Sequence, residues 1–382
     1  MAWKIIMTDK AKRKGNPRRR VLFNLLMMSV LLIATVSASW YLLQSSPERI
    51  VYIAEDENGY ENIFIVNLNG TNNPKQLTYH DQPVRMLHAS PHQSTIIYTT
   101  SDRMLWSMNA NTGEAHSHGE CNCGTFQISP SGEWLAYEIG TRTEFEGEVS
   151  YHVLLRIQNL KTGHVRTVEE FEFVSSSWSG RPYYWVDGNL LAYTNYPIDG
   201  IEQISVYDVE REIVIEETAF STDYHLLLYR NFQAYNPRWT IYKPTFYSEM
   251  LIASSVDTDI NIAIPQNTIE RSAQDVTHRD MIWHPTIEDQ FITIDSWYSR
   301  ESQQREYNLV LYKLEDQSST ILSSISQPSE IWRISFNSDG TKLMWQLWNN
   351  NTSEIQYFVR DMTTGTIQSI PIEGYYPMWV GG

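Results

Sequence analysis

The chain has 382 residues and a formal net charge of −16, but the charge is unevenly distributed. Residues 1–20 contain eight Lys or Arg and one acid, a net charge of +7, so the rest of the chain carries −23. An acidic body repels phosphate backbones, so we expect no nucleic-acid partner. Aromatic residues make up 13% of the chain and long Ala/Leu/Glu/Lys-rich tracts are missing, which favours strands over helices.

The basic segment is followed by an almost wholly apolar run over residues 21–43. About 20 such residues span a bilayer as one transmembrane helix. The positive-inside rule then predicts that residues 1–20 are cytoplasmic and that the chain beyond a 44–49 linker lies on the extracytoplasmic side of the cell membrane. A cleaved signal peptide is the alternative, because Val36-Ser37-Ala38 fits a signal-peptidase site, but the run exceeds the usual length of a signal peptide's apolar region.

A pattern of four short strands recurs after residue 50, most clearly in residues 334–371. There an apolar strand meets an Asn-Ser-Asp-Gly turn at 337–340, and three further strands follow, joined only by a polar loop and a Gly turn. Such a unit predicts an antiparallel meander that cannot bury both of its faces alone. We therefore expect several units to pack side by side.

Complete units are recognisable at residues 85–118, 126–168, 176–216, 237–271, 281–312 and 334–371. Three strands are left over at residues 50–78 and one at 376–380, and together they would complete one shared sheet that closes a ring. The predicted fold class is thus all-β, a propeller of seven four-stranded antiparallel blades over residues 50–382. Six blades is the alternative, if residues 224–277 form a decorated insertion.

Several short motifs recur at matching places in these units. They are Ser129-Pro130-Ser131-Gly132 with Leu135-Ala136-Tyr137, Ser338-Asp339-Gly340 with Leu343, Leu191-Ala192-Tyr193, Lys161-Thr162-Gly163 and Gln76-Leu77-Thr78. With these motifs the chain resembles the TolB-type propeller repeat over about residues 50–380. The turns have a direct physical reason, because Asp or Ser before Gly suits the tight connection between antiparallel strands.

The resemblance implies a fold and leaves the function open, because one propeller fold serves many functions. The chain differs from the Tol-system protein itself, since it shows no separate N-terminal α/β domain and is expected to retain a membrane helix. No role in the Tol–Pal complex is therefore carried over. Propellers of prolyl oligopeptidases are also similar, but no Gly-x-Ser-x-Gly nucleophile motif or α/β-hydrolase domain follows, so a peptidase is not expected.

The densest group of possible metal ligands is His116, His118, Cys121 and Cys123. Two histidines at alternate strand positions share a face, and two thiolates could complete a tetrahedral site for a divalent metal such as zinc. The spacing is not a common zinc pattern. The alternative is an inter-blade loop with an exposed or mutually oxidised cysteine pair.

Other candidate residues are scattered along the chain. Further scattered histidines lie at 80, 88, 92, 152, 225, 278 and 284. The resemblance implies that some could converge on a channel, as in TolB-like sugar lyases that use a metal, and His88 and His284 fall beside first strands. Partly buried histidines bonded to backbone groups are the alternative.

Acidic clusters and tryptophans give two weaker patterns. Asp56-Glu57-Asn58 and Asp257-x-Asp259 could bind calcium, but neither has the 12-residue calcium-loop pattern, which favours solvated loop tips. Trp332, Trp345 and Trp348 could form a carbohydrate platform or pack between blades.

The sequence favours a non-enzymatic binding module that meets another envelope protein or polymer, with no cofactor. The alternative is a metal-assisted lyase or hydrolase in the channel. No catalytic residue is identifiable from the sequence.

Overall fold

The computed structural model describes residues 48–68, 73–121, 123–145, 148–174, 183–185, 188–195, 203–219, 276–299 and 301–381, and short strands between 225 and 263. The predicted basic segment, the apolar run 21–43 and the residues Asp257 and Asp259 lie outside this part. Within it, no helix is long and apolar enough to cross a membrane.

The secondary structure of the described residues consists of strands. In chain order these are β1 (Arg49–Glu55), β2 (Glu61–Asn67), β3 (Lys75–Gln76), β4 (Val84–Ala89), β5 (Thr95–Thr100), β6 (Met104–Asn109), β7 (Ala115–Glu120), β8 (Cys123–Ile128), β9 (Trp134–Phe145), β10 (Glu148–Asn159), β11 (Val165–Val174), β12 (Tyr183–Trp185), β13 (Leu190–Asn195), β14 (Gln203–Asp208) and β15 (Ile213–Ala219). They continue as β16 (His225–Leu226), β17 (Phe232–Gln233), β18 (Tyr235–Asn236), β19 (Trp239–Lys243), β20 (Leu251–Ser254), β21 (Asn261–Ala263), β22 (Val276–Trp283), β23 (Gln290–Ser299), β24 (Gln304–Lys313), β25 (Ser318–Ser326), β26 (Ser329–Phe336), β27 (Lys342–Asn349), β28 (Ile355–Asp361), β29 (Ile367–Ile370) and β30 (Tyr375–Val380).

These strands form seven sheets, numbered here in chain order. Their strand orders are β3-β2-β1-β30 in sheet 1, β4 to β7 in sheet 2, β11-β10-β9-β8 in sheet 3, β12 to β15 in sheet 4, β16-β19-β20-β21 with β18 in sheet 5, β17-β22-β23-β24-β25 in sheet 6 and β26 to β29 in sheet 7. Pairing is antiparallel except between β17 and β22. The prediction of an all-β fold of antiparallel meanders is confirmed, and the arrangement is consistent with a β-propeller.

The first and last strands of the described chain lie together in sheet 1. Strand β30 pairs antiparallel with β1, with Val380 opposite Arg49. The buried guanidinium of Arg49 donates hydrogen bonds to the carbonyl of Gly381 and to Asn111 of sheet 2. The amide of Gly381 in turn donates to the carbonyls of Ser90 at 3.0 Å and Gln93 at 2.9 Å. The end of the chain thus joins sheet 1 to sheet 2.

The apolar cores lie between neighbouring sheets, because successive residues of a strand face opposite sides. In β1, Val51 packs against sheet 2 together with Leu87, whereas Ile50 packs against sheet 7 together with Met344. All four side chains are buried. Full burial of one such side chain stabilises the fold by about 1.5–3 kcal/mol, so each sheet depends on both neighbours.

The first strand of each four-stranded unit lies at one edge of that unit, although in sheet 6 the short strand β17 pairs outside β22. These first strands are called edge strands here, and they contact one another in sequence. Contacts join β22 to β26, β26 to β30, β30 to β4, β4 to β8 and β8 to β12. Side chains reinforce this arrangement, since the Trp185 indole donates to the Gln127 carbonyl at 3.1 Å and the Trp379 indole to the Ser335 carbonyl at 3.2 Å. Residues at the same height on successive edge strands are therefore close in space.

The turn that follows each edge strand lies at one end of the sheets, which we call the turn end. Neighbouring turns are hydrogen-bonded there, with Ser90 Oγ donating to the Pro130 carbonyl at 3.1 Å and Thr286 Oγ1 donating to the Asp339 carbonyl at 3.3 Å. Glu48, the first described residue, also lies at this end, since the next residue, Arg49, pairs with Val380 at the end of β30. The opposite end, where the edge strands begin, carries the residues described next.

Candidate functional site

Five edge strands contain a β-bulge four or five residues before the turn that follows them. One extra residue interrupts the pairing in three of them: Arg85 in β4, Asp280 in β22 and Arg333 in β26. In β8 two residues, Gly124 and Thr125, lie opposite one, and in β30 Tyr376 and Pro377 do the same. Bulges redirect side chains and often occur next to functional sites. We call this end of the sheets the bulge end.

Three of the bulges place a residue other than glycine in a backbone conformation with positive φ. The angles are 30° at Asp280, 44° at Arg333 and 56° at Tyr376. Such residues cost of order 1–3 kcal/mol each and persist only where the surrounding structure holds them. A bulky tyrosine is unusual in this region. Three sheets in succession therefore hold strained residues at the same height.

A continuous series of contacts connects these residues across four sheets. The Arg333 amide donates to Asp280 Oδ2 at 3.2 Å, and the Arg333 guanidinium lies 4.4 Å from the centre of the Tyr376 ring. Tyr376 packs edge-on against Tyr375, with ring centres 5.2 Å apart. The Tyr375 hydroxyl donates to Glu61 Oε1.

The series ends in sheet 2, where Arg85 forms an ion pair with Glu61 at 3.0 Å. Glu61, Arg85, Asp280, Arg333, Tyr375 and Tyr376 together are called the bulge-end cluster. It extends from sheet 6 through sheets 7 and 1 to sheet 2.

The two arginines of the cluster differ in their partners. The side chain of Arg85 is 56% exposed and is neutralised by Glu61. Arg333 is also exposed, but Asp280 accepts from its backbone amide, and among the described residues its guanidinium forms no ion pair. Burial, followed by the nearby Glu61 carboxylate, raises the pKa of Tyr375 above its ordinary value. The cluster therefore combines one guanidinium without an ion-pair partner among the described residues with a Tyr375 hydroxyl that remains neutral at physiological pH.

A second polar group lies deeper, between sheets 3 and 4. Thr125 Oγ1 donates to the Tyr183 hydroxyl at 2.9 Å and approaches Glu138 Oε2 at 3.4 Å. Glu138 is 1% exposed and Tyr183 is 2% exposed. Burial, together with the Glu138 carboxylate, raises the pKa of Tyr183 well above its ordinary value. These groups satisfy one another inside the fold, as buried polar groups must.

The structure brings the predicted metal ligands together only in pairs. His116 and His118 lie on β7 with ring centres 4.9 Å apart. Cys121 and Cys123 form a disulfide in the connection from β7 to β8, and Cys121 is buried in the apolar core between sheets 2 and 3. The sequence analysis named such an oxidised cysteine pair as an alternative to the metal site. A disulfide offers no thiolate to a metal.

Both ring nitrogens of His118 also have hydrogen-bond partners. Its Nε2 lies 2.7 Å from Ser107 Oγ, and its Nδ1 lies 3.2 Å from Gln158 Nε2. Across the described ranges, no three His, Cys, Asp or Glu residues form a group that could hold a metal ion. The four-residue metal site stays a prediction, and it would require reduction of the disulfide and rearrangement of His118.

Two of the other predicted histidines, His88 and His284, accept hydrogen bonds from backbone amides. His88 Nδ1 accepts from the Ile128 amide at 3.4 Å, and burial lowers the pKa of His88 to about 4. His284 Nδ1 accepts from the amides of Thr286 at 3.3 Å and Ile287 at 3.2 Å. Both histidines hold turns or neighbouring strands in place and do not meet in a common site.

The remaining candidates separate into structural and exposed groups. Asp56 accepts hydrogen bonds from the Asn58 and Tyr60 amides, so its carboxylate organises its own loop. Trp345 is buried at 2% exposure in the core between sheets 6 and 7, whereas Trp332, beside Arg333, is 45% exposed. Of the aromatics predicted for carbohydrate binding, Trp332 is the one next to the bulge-end cluster.

The bulge-end cluster was not predicted from the sequence, although a signal for it exists. Val84-Arg85-Met86 and Trp332-Arg333-Ile334 each place a charged residue between apolar ones, and Asp280 directly precedes the apolar Met281; all three lie four or five residues before the turn. In a regular strand, such a residue would point toward a buried face, so the pattern indicates a bulge that turns it outward.

Comparison with known proteins supports the fold. No family model and no curated protein sequence matches the chain. An acylaminoacyl peptidase from Pyrococcus horikoshii aligns with a TM-score of 0.55 and 12% identity over 85% of this chain, which spans half of the peptidase. At such identity the similarity shows the fold alone.

Two further solved structures are named as propeller or TolB proteins. A putative TolB from Agrobacterium tumefaciens aligns with a TM-score of 0.38 and 11% identity over 88% of this chain and 90% of its own. The β-propeller domain of the trilobed protease from Pyrococcus furiosus aligns with a TM-score of 0.47 and 11% identity over 75% of this chain and 84% of its own. Structural neighbours thus include TolB-like and β-propeller proteins, at low identity.

Proposed function

We propose that this chain is a membrane-anchored, extracytoplasmic β-propeller of seven blades that binds another envelope protein or polymer at the bulge-end cluster. The observation that supports it is the series of contacts from Asp280 through Arg333 and Tyr376 to Glu61, built on strained residues of successive sheets. Stability alone gives no reason to keep these strained residues, since strain of this kind is concentrated at binding and active sites.

The position of the cluster suits a binding surface. It joins four sheets, so a ligand that contacts it meets a rigid scaffold and loses little free energy in ordering the protein. The described chain begins at the turn end, so a partner at the cluster would meet the opposite end of the sheets from Glu48. The membrane part of the proposal is supported by the basic segment 1–20 and the apolar run 21–43.

Site-specific photo-crosslinking in intact cells tests the proposal. A photoreactive amino acid replaces Trp332 in one variant and Thr363 in another, since both residues are exposed and Thr363 lies in a turn at the turn end. We expect adducts of higher mass from the Trp332 position and none from the Thr363 position. Adducts from Thr363 alone, or from neither position, would refute binding at the cluster.

The same cells test the location of the chain. The full-length chain should remain in the membrane fraction after alkaline extraction, because an apolar helix is not released by charge changes. Protease added outside the cytoplasmic membrane should degrade the propeller. Release by alkali would indicate a cleaved signal peptide, and protection from the protease would contradict an extracytoplasmic propeller.

The alternative function is a metal-assisted lyase or hydrolase, and the paired histidines on β7 are the observation in its favour. Metal content of the purified full-length chain should be measured with and without reduction, and again after His116→Ala and Cys121→Ala. A stoichiometric divalent metal that both substitutions remove would support this alternative. Metal absent under both conditions would eliminate this ligand set.

A further inference from the structure

We infer that the Arg333 guanidinium is the receptor for a carboxylate of a bound peptide, an Asp or Glu side chain with a Lys or Arg close to it in sequence. The inference rests on the proposed function, because it names the ligand chemistry of the bulge-end cluster. Three observations support it. Arg333 is held in place by its neighbours, its guanidinium has no ion-pair partner among the described residues, and the chain around it is acidic.

Arg333 is fixed at both its backbone and its side chain. The bulge and the hydrogen bond from its amide to Asp280 hold the backbone, while the Tyr376 ring lies 4.4 Å beneath the guanidinium. Tyr376 is itself supported by Tyr375, whose hydroxyl bonds to Glu61. An arginine on an aromatic face keeps its edge N–H groups available while its conformational freedom is reduced.

A guanidinium edge fits a carboxylate through two parallel hydrogen bonds. Several other arginines of the described chain are paired internally, as in Arg85 with Glu61 at 3.0 Å and Arg142 with Glu144 at 3.0 Å. Arg333 has no such partner among the described residues, although it is exposed and rigidly supported. A carboxylate from outside the chain would complete the arrangement.

The surrounding charges favour a peptide over a polyanionic polymer. Asp280 lies beside the arginine within the cluster, and the chain without residues 1–20 carries −23. A polyuronate would be repelled by this carboxylate as it is by the whole acidic body. A peptide with one acidic and one basic group could instead pair with Arg333 and Asp280 at once.

Selection from a randomised heptapeptide phage-display library on the immobilised full-length chain provides the probe. The dissociation constants of the selected peptides are then measured by fluorescence anisotropy. We expect the selected peptides to share an acidic residue, and its replacement by Gln or Asn should weaken binding roughly 10-fold to 100-fold.

Substitutions on the protein side complete the cycle. Arg333→Met should weaken binding of the parent peptide as much as replacing the peptide's acidic residue by its amide does. The amide peptide should bind the Arg333→Met variant no more weakly than the parent peptide does. Arg333→Lys should recover part of the loss, since lysine keeps the charge without the two-pronged geometry. Arg103→Met is the matched control, because Arg103 is also exposed and has a positive φ of 65° but lies outside the cluster.

Three outcomes would overturn the inference. Selected peptides that lack an acidic residue, or whose affinity is unchanged by Arg333→Met, would refute a carboxylate ligand for Arg333. Neither result would contradict binding at the cluster itself. Binding of polygalacturonate that depends on Arg333, with no peptide selected, would assign the carboxylate to a sugar acid. Failure of photo-crosslinking at Trp332 would refute the proposed function itself. Unchanged melting temperatures of the variants show that the protein remains folded.

Discussion

Gly340 shows how a single residue fixes the contact between two sheets. It lies in the turn between β26 and β27 with φ of 76°, and a Cβ placed on it would lie 2.1 Å from His284 Cε1 of the neighbouring turn. The Asn-Ser-Asp-Gly pattern predicted this turn, because only glycine enters the left-handed region without cost. The close approach of His284 was not predictable, since it depends on how sheets 6 and 7 pack.

Gly340→Ala should therefore lower the free energy of unfolding by at least about 2 kcal/mol, because the backbone penalty of about 1–2 kcal/mol adds to the collision with His284. Gly59→Ala is the control, since Gly59 has φ of 79° with nothing within 4 Å of its added Cβ. It should lose only the backbone part, about 1 kcal/mol. Equal losses in urea unfolding would contradict the packing of the two turns.

The buried histidines make the free energy of unfolding depend on pH. Burial lowers the pKa of His88 to about 4 from an ordinary value of 6.5. The unfolded chain therefore binds a proton between these values that the folded chain does not, so stability falls as pH drops through this window and is level above about pH 7. Burial also lowers the pKa values of His80, His92, His118 and His284, which act in the same direction.

Substitution His88→Asn removes one titrating group and retains an acceptor for the Ile128 amide. The loss of unfolding free energy between pH 7 and pH 5 should then shrink by about 1 to 2 kcal/mol relative to the parent chain. Urea unfolding at a series of pH values measures this loss. An unchanged pH dependence would mean that His88 is accessible to protons in the folded state.

The bulged residues mark the limit of residue-scale prediction. The apolar pattern predicted only the later parts of the strands that contain them, from Met86, Met281 and Ile334 onward, because it reports which face is buried. A bulge breaks the alternation by one residue, and its place depends on pairing with the second strand. The cluster therefore becomes visible only when neighbouring sheets are in position.

At the scale of the element, the closing strand is the most informative part of the chain. The sequence predicted a lone strand at 376–380 together with three strands at 50–78, and β30 indeed pairs with β1. Trp379 and Val380 of this strand are each 4% exposed, in cores that face opposite neighbours. An edge strand buried on both sides contributes to two interfaces.

Deletion of residues 375–382 should therefore destabilise every sheet together. Loss of the buried Trp379 alone costs about 3–5 kcal/mol, and an exposed edge in sheet 1 adds to it. We expect the melting temperature to fall by more than about 10 °C, with a single transition. Melting like that of the full chain would contradict closure through β30.

The hairpin of β9 and β10 is longer than its sequence suggested. Apolar residues predicted strands near 134–137 and 153–157, whereas the paired strands extend to Phe145 and Glu148. The extension is polar and is supported by cross-strand contacts, such as Thr143 Oγ1 to Ser150 Oγ at 2.6 Å. Polar cross-strand pairs stabilise a sheet without an apolar signal. Apolar periodicity therefore predicted the buried part of this hairpin but not its polar extension.

At the scale of the whole molecule, the repeat was easier to predict than the function. Each four-stranded unit is a local pattern, and the necessity of burying both faces of each sheet predicts side-by-side packing. The proposed binding surface is formed by four sheets whose contributing residues lie as far apart in sequence as Glu61 and Tyr376. No local pattern could have placed these residues together.

Hydrogen–deuterium exchange of the full-length chain, with and without the selected peptide of highest affinity, tests the central claim most directly. Binding at the cluster should slow exchange in β22, β26 and β30, because a ligand that binds the native state suppresses local opening around its site. The turn-end segments 337–341 and 362–366 should exchange at unchanged rates. Protection at the turn end with none in the three edge strands would contradict a binding surface at the bulge end.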